Sequence, residues 1–276
     1  MGFKERFAPV SEKVIGDHAS CVSDSSERRT FKIICWNINK NNQSSRWAQE
    51  FTDMVSQHQP DAVFLQEVRL PVDGAADCSL VSRVNSQLPK STALSQMTWR
   101  FAPNFVDMAT ETYSGVLTGV SAQHVRSVAL LTAKTEPITR TPKVSLLVEY
   151  ALRDGSLLTV NTHLINFVSA SAFQTQLNQI EAALSAHQGA VILAGDFNTW
   201  NRSRQHRLEQ MVARLNLVAA AFSEKNSRNI KRFLLSPPLD HIFYRGFQQG
   251  ANSDCVIGAI TASDHRPLVI ELTAIA

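Results

Sequence analysis

The chain has 276 residues, of which 44% are hydrophobic and 18% charged. That balance excludes a disordered chain and provides for a sizeable core. A formal net charge of +3 permits a polyanionic substrate without requiring one, and no apolar run approaches the length of a membrane span.

Residues 1–30 are polar and aperiodic and predict an N-terminal arm, flexible or docked, ahead of one domain over 31–276. Lys4, Glu5 and Arg6 interrupt any signal-peptide core, and Arg6 stands where lipidation of Gly2 would need Ser or Thr. Cys21, Cys35, Cys78 and Cys255 are scattered, with no C-x-x-C pair. This argues against cysteine-bound zinc and against a disulfide framework, and for a reduced, cytoplasmic chain.

From Phe31 the pattern sharpens. Phe31–Trp36 is a short apolar run that predicts a buried strand. Trp47, Phe51, Met54 and Val55 recur at helical spacing and predict a helix ending before Pro60. Ala62–Leu65 predicts a second buried strand that runs into Gln66 and Glu67. Strands are predicted at 99–106, 115–120, 125–131, 144–150 and 157–163, with Asp154-Gly155 as a hairpin turn. Phe173, Leu177, Ile180 and Leu184 form one helix face; Val191–Ala194 is a strand delivering Gly195-Asp196. A further helix face is Leu208, Met211, Val212 and Leu215, and late strands lie at 242–244 and 268–272. No repeat or linker divides the body. Mixed strands and helices, with hairpins and crossovers, predict an α/β fold: two mixed, mostly antiparallel sheets packed face to face with helices outside, a four-layer α/β/β/α sandwich.

Glu67, Asp196 and Asp264 fall at or beside the ends of apolar strands. A strand end holds a functional group rigidly, and a carboxylate there calls for a cationic partner such as Mg²⁺. Asp196 and Asn198 flank Phe197, so an extended segment points both to one side. An Asx turn after the strand would use the same residues. Asp264-His265 and Asp240-His241 offer histidines beside carboxylates, and Asp240 is a candidate partner for His265. His163 closes a strand. The remaining histidines read as structural.

The ordered blocks Trp36-Asn37-Ile38-Asn39, Leu65-Gln66-Glu67, Asn161-Thr162-His163, Gly195-Asp196-Phe197-Asn198, Leu239-Asp240-His241 and Ser263-Asp264-His265-Arg266-Pro267 together resemble the endonuclease/exonuclease/phosphatase superfamily, within it a small bacterial branch. This is the group of deoxyribonuclease I, AP endonucleases, neutral sphingomyelinases and inositol polyphosphate 5-phosphatases. The resemblance spans roughly Phe31 to Leu272. It implies a Mg²⁺-dependent phosphoester hydrolase, with Mn²⁺ as a substitute. Glu67 is implied as the main metal ligand, with Asn37 beside the metal and Asp264 as a further carboxylate. Asp196 is implied to position or activate the attacking water, and Asn198 to bind a phosphate oxygen. His163 is implied to contact the scissile phosphate or protonate the leaving oxygen. His265, supported by Asp240, is implied as general base or transition-state stabiliser. Asn39 stands where some nucleases carry an acid, and His163 where AP endonucleases place a tyrosine, which weighs against an abasic-site enzyme.

Two substrate classes follow. Arg202, Arg204, His206, Arg207 and Arg214, with Arg228, Lys231 and Arg232, suggest a nucleic-acid backbone, with Asn39, Arg202 and Arg204 as substrate-binding residues. A solvated helix face is the plainer reading of that cluster. The apolar loop Leu164-Ile165-Asn166-Phe167 suggests instead a lipid head group or another small phosphate ester, without stable membrane insertion. A non-catalytic relative that keeps only the fold would be expected to lose one of the site groups, and all are present. Oligomeric state is not specified by any of these patterns.

Overall fold

The structure, a computed structural model, describes residues 6–16, 30–72, 80–84, 92–153, 155–251 and 253–275. Cys21, Cys78, Asp154 of the expected hairpin turn and most of the expected arm lie outside the described residues. Of that arm, β1 (Phe7–Pro9) and β2 (Ile15–Gly16) pair antiparallel with a strand further along. Then follow β3 (Thr30–Asn37), α1 (Ser45–His58), β4 (Ala62–Pro71), α2 (Leu80–Val84) and α3 (Thr92–Ser95). The middle is β5 (Thr98–Asp107), β6 (Thr112–Val120), β7 (Gln123–Leu131), β8 (Val144–Leu152) and β9 (Gly155–His163). The last third holds α4 (Ala170–Ser185), β10 (Ala190–Asp196), α5 (Arg202–Arg214), β11 (Val218–Ala219), α6 (Glu224–Ser227), β12 (Asp240–Arg245), β13 (Phe247–Gln249), β14 (Cys255–Val256) and β15 (Leu268–Ala274).

Among the described residues one sheet runs β1-β5-β6-β4-β3-β15-β13, with β14 on β15 and β2 on β5. The second runs β11-β12-β10-β9-β8-β7. Among the described residues only β3–β4 and β9–β10 pair in parallel, so both sheets are mixed and mostly antiparallel. Strand alternation distributes the apolar side chains into three layers. Ile33, Cys35, Phe64, Ile192 and Ala194 face the space between the sheets. Ile34, Trp36, Val63 and Leu65 point outward, to Trp47, Phe51 and Val55 of α1. Val191 and Leu193 point outward on the other side, to Phe173 and Leu177 of α4 and Leu208 and Met211 of α5. Period-2 runs therefore bury both faces, because each sheet is covered on both sides. This is the expected four-layer sandwich.

Helix α1 starts where Ser44 Oγ accepts the Trp47 N–H at 3.2 Å, and ends at Gln59, φ +46, one residue before Pro60. Strand β4 runs on to Pro71, past the predicted end, because a bulge between Leu65 and Val68 absorbs Gln66 and Glu67 and then resumes pairing with β6. Among the described residues no helix is long and apolar enough to cross a membrane.

Candidate active site

The chemistry gathers where strand ends of both sheets meet. Asn37 closes β3, His163 closes β9 and Asp196 closes β10, while Asp240 opens β12, which runs the other way. Asp196 lies in register between His163 and Asp240. His265 lies just before β15, which pairs antiparallel with β3. Glu67 is supplied by the β4 bulge, at φ +56, a conformation that turns its carboxylate out of the strand's alternation. Gly195 has φ +148, and a Cβ there would lie 1.9 Å from the Thr162 carbonyl oxygen, so the Asp196 turn requires glycine.

The polar groups are buried and fixed. Asn37, Asp196, Asn198, Asp240, His163 and His265 are all buried. Asn37 Nδ2 donates to Asp196 Oδ2 at 2.9 Å, and Asn37 Oδ1 accepts the Asn39 N–H at 3.0 Å. Asp196 Oδ1 accepts the Asn198 N–H at 2.9 Å, and Asn198 Nδ2 donates to the Leu164 carbonyl at 2.8 Å. His265 Nδ1 lies 2.8 Å from Asp240 Oδ2, so the partnership anticipated from sequence forms. His265 Nε2 lies 3.9 Å from Asp196 Oδ2, and His163 Nε2 lies 3.6 Å from the same oxygen and 3.8 Å from Glu67 Oε1.

Charge states follow from this packing. Burial pulls the His265 imidazole down, but the Asp240 carboxylate outweighs it and pushes the group up to about 10. Burial, with the Lys143 ammonium added, lowers His163 to about 4. Burial raises the Asp196 carboxyl above its ordinary value. Burial also acts to raise Glu67, yet the Lys143 and Lys40 ammoniums hold it well below the usual carboxylate range. At neutral pH the site thus combines a charged His265, a neutral His163 and an ionised Glu67.

One sequence expectation is corrected. Arg204 is not a substrate-binding cation: it is buried, and its guanidinium donates to the carbonyls of Ile165, Asn198 and Val168. Its role is to hold the Asp196 loop against the 164–168 segment. Asp264, expected as a further metal-side carboxylate, is exposed and ion-paired with Lys231 at 2.8 Å. Asn39 and Arg202 are exposed. Much of the basic cluster has intramolecular partners: Arg207 on Gln174, Arg232 on the Ser236 and Ser227 carbonyls, and, at the surface, Arg214 on Glu181 and Arg228 on Glu224.

Other contributors carried no assigned role in the sequence. Gln66 Nε2 donates to Asn161 Oδ1 at 2.8 Å, and Asn161 Nδ2 donates to the Leu117 carbonyl at 2.9 Å, tying the two sheets together beneath the site. Ser263 Oγ donates to the Asn37 carbonyl and accepts the His265 N–H. Their presence inside the motif blocks was the available signal. Lys40 and Lys143 carried none.

The donor chemistry at Glu67 fits a hard divalent cation. Its carboxylate is ionised and mostly buried, Oε2 is paired with the Lys40 ammonium at 2.9 Å, and Oε1 has His163 at 3.8 Å, so a hard oxygen ligand held by positive charge is available for a divalent cation to take over. Asp196, Asp240 and His265 also converge within 4.8 Å. There the charged imidazole already serves as the cation between the two carboxylates.

The profile of the Endonuclease/Exonuclease/phosphatase family matches residues 34–265. A UPF0294 protein of Photorhabdus laumondii is 27% identical over 272 residues, 96% of this chain and 93% of that one. A UPF0294 protein of Vibrio vulnificus is 39% identical over 141 residues, 50% of this chain and 47% of that one, so the chain spans about half the length of such Vibrio relatives. Among solved structures, an endonuclease/exonuclease/phosphatase of Beutenbergia cavernae superposes with a TM-score of 0.64 at 19% identity, covering 90% of this chain and 72% of that one. The human Nocturnin catalytic domain gives 0.60 at 16% identity, covering 96% and 98%. TDP2 of D. rerio, complexed with a single strand DNA product, gives 0.61 at 16% identity, covering 90% and 100%. At these identities the likeness to solved structures is one of fold.

Proposed function

The chain belongs to the Endonuclease/Exonuclease/phosphatase family of phosphoester-hydrolysing enzymes, and from that premise we propose that the cleft between Glu67 and His265 catalyses metal-assisted phosphodiester hydrolysis. The observation that carries this reading is the convergence of Asp196 Oδ2 with His163 Nε2 and His265 Nε2 beside an ionised Glu67. Glu67 would hold Mg²⁺, or Mn²⁺ in its place, with Asn37 adjacent. When bound, the ion supplies charge neutralisation at a non-bridging oxygen and at the leaving oxygen.

The protein's own groups do the rest. Asp196, oriented by Asn37 and raised by burial, takes the proton of the attacking water. His265 is charged at neutral pH, so of its two implied roles transition-state stabiliser is the consistent one: an imidazolium donates and cannot accept. His163 is neutral and serves as a hydrogen-bonding contact to the phosphate. Asn198 holds the Asp196 loop, and its carboxamide borders the phosphate position.

For the substrate, the rim supports a phosphodiester presented at an apolar surface, such as a lipid head group, over a nucleic-acid backbone. Of the arginines that would track a polyanion, Arg204 is buried on backbone carbonyls and Arg207, Arg214 and Arg228 each have a side-chain partner, the last two at the surface. Meanwhile Phe167, Phe233, Leu234 and Leu235 are exposed, the last two at 84% and 102%. The 232–238 hairpin that carries three of them leads directly into Asp240. Exposed apolar side chains grouped beside a cleft mark an interaction surface.

The test is hydrolysis of plasmid DNA, single-stranded DNA, a soluble aryl phosphodiester and phospholipid vesicles, each with Mg²⁺ or Mn²⁺ and with EDTA. Cleavage that requires metal and is lost in Asp196→Ala is expected. Silence on every substrate would sink the reading, and cleavage of DNA alone would reverse the substrate choice.

A further inference from the structure

Three strained backbone positions converge on one carboxylate. Asn39, Lys40 and Glu67 have φ of +49°, +59° and +56°. None is glycine, and such positions persist only where surrounding structure enforces them. Here the enforcement is visible: the Asn39 N–H bonds Asn37 Oδ1 and the Lys40 N–H bonds the Glu67 carbonyl, both at 3.0 Å. The outcome is Lys40 Nζ at 2.9 Å from Glu67 Oε2.

The two partners differ in freedom. Lys40's side chain is 36% exposed and that of Glu67 is 17% exposed. The ammonium therefore has a route to solvent, and the carboxylate has none comparable. Lys143, in the same small pocket, has a second carboxylate, with Nζ 3.4 Å from Glu136 Oε1. His163 lines that pocket too, so it opens onto the proposed phosphate position.

We propose that Lys40 is an exchangeable counter-ion: it neutralises Glu67 when no divalent cation is present, and passes to a phosphoryl oxygen of the substrate when one binds. This rests on the metal-assisted reading above. A mostly buried carboxylate without a counter-charge is costly, which explains why a strained loop supplies one. A divalent cation at Glu67 and an ammonium at 2.9 Å from it repel, so occupancy by one expels the other. The flexible four-carbon stem lets the ammonium swing from Glu67 to a phosphate bound beside His163 without moving the backbone. Because both ligands favour the same movement of Lys40, metal and phosphate each tighten the other's binding.

The experiment is titration calorimetry of the EDTA-stripped full chain with Mn²⁺ alone, then with inorganic phosphate in the presence and absence of Mn²⁺. Lys40→Met is expected to bind Mn²⁺ about five-fold more tightly than wild type, the scale of one modest ion pair removed. It is also expected to lose most of the Mn²⁺-dependent gain in phosphate affinity. Lys40→Arg, which keeps the competing charge, stays near wild type. Lys143→Met removes an equal charge from the pocket without touching the ion pair, and its Mn²⁺ affinity rises less. Equal or weaker Mn²⁺ binding by Lys40→Met overturns the exchange while leaving the metal site standing. Absence of Mn²⁺ binding in wild type overturns the metal site itself, and the exchange with it. On any hydrolysed diester, Lys40→Met should raise KM more than it lowers kcat.

Discussion

At the scale of single residues, the site works by making similar groups dissimilar. His163 and His265 both lie within 4 Å of Asp196 Oδ2, yet one is neutral and the other charged at pH 7. The difference is the partner: His265 has Asp240 at 2.8 Å, whereas the nearest carboxylate to His163 among the described residues is Asp196 at 3.6 Å, with the Lys143 charge opposing. Asp240→Asn removes the charge that holds the His265 proton. Its pKa should fall back towards or below its ordinary value, so activity that persists towards pH 10 in wild type should fade above about pH 6.5 in the variant. The variant should also lose about 3 kcal/mol of stability, the scale of a broken buried pair. A pH–rate profile unchanged by Asp240→Asn would show that His265 does not act as the charged stabiliser. The arginines teach the complementary lesson. Arg202 and Arg204 are two residues apart on one helix turn, and of the two only Arg202 is exposed.

At the scale of elements, strand ends and their irregularities do the positioning. The β4 bulge presents Glu67 and the Gly195 turn presents Asp196. Gly195→Ala forces a Cβ onto the Thr162 carbonyl at a backbone angle hostile to L-residues. It should cost about 3 kcal/mol or more, lower Tm by several degrees and displace Asp196; a wild-type melting curve with full activity would contradict the assignment of that turn. The 232–238 hairpin is the other functional element. Its tip is closed locally, by the Phe233 N–H to Ser236 Oγ and the Ser236 N–H to the Phe233 carbonyl, and its apolar side chains project outward. Leu234→Glu with Leu235→Glu should leave the fold and soluble-diester hydrolysis intact, because neither side chain is buried, while sharply reducing cosedimentation with phospholipid vesicles. Unaltered vesicle binding would remove the apolar-surface reading and leave the chemistry untouched.

At the scale of the whole molecule, buried histidines of opposite sign should shape stability against pH. His163 and His241 have folded pKa values near 4, below the ordinary value of 6.5. Unfolded chains take up those protons between pH 6.5 and 4 and the folded protein does not, so stability present above 6.5 is lost as pH falls, at about 1.4 kcal/mol per pH unit for each group. His265 runs the other way: its folded pKa near 10 gives stability that is full below 6.5 and lost as pH rises towards 10. Denaturation of the metal-free protein followed across pH 4–10 should therefore show a maximum near pH 6.5, and a flat profile would contradict these charge states.

Much of this molecule is legible in its primary structure, for reasons of range. The apolar alternation of Ile33 to Trp36, Ala62 to Leu65 and Val191 to Ala194 reports strands covered on both faces, and the helical spacing around Trp47 and Phe173 reports the covering layers, because side-chain period depends only on local backbone geometry. That His163 and Asp196 sit at strand ends follows from the same pattern, whereas Glu67, expected at a strand end, lies at a bulge inside β4; the ordered motif blocks mark the family. What the side chains do with those positions was settled only by tertiary packing. Asp240 and His265 are 25 residues apart and become a pair through the register of two different sheets. Arg204 is consumed by the 164–168 segment, Asp264 turns to Lys231, and Lys40 meets Glu67 through a loop no periodicity describes. Residue type and spacing state which chemistry a chain can perform. Which group is charged, buried, spent or free depends on neighbours brought together from distant parts of the chain, and those are set by how the sheets stack.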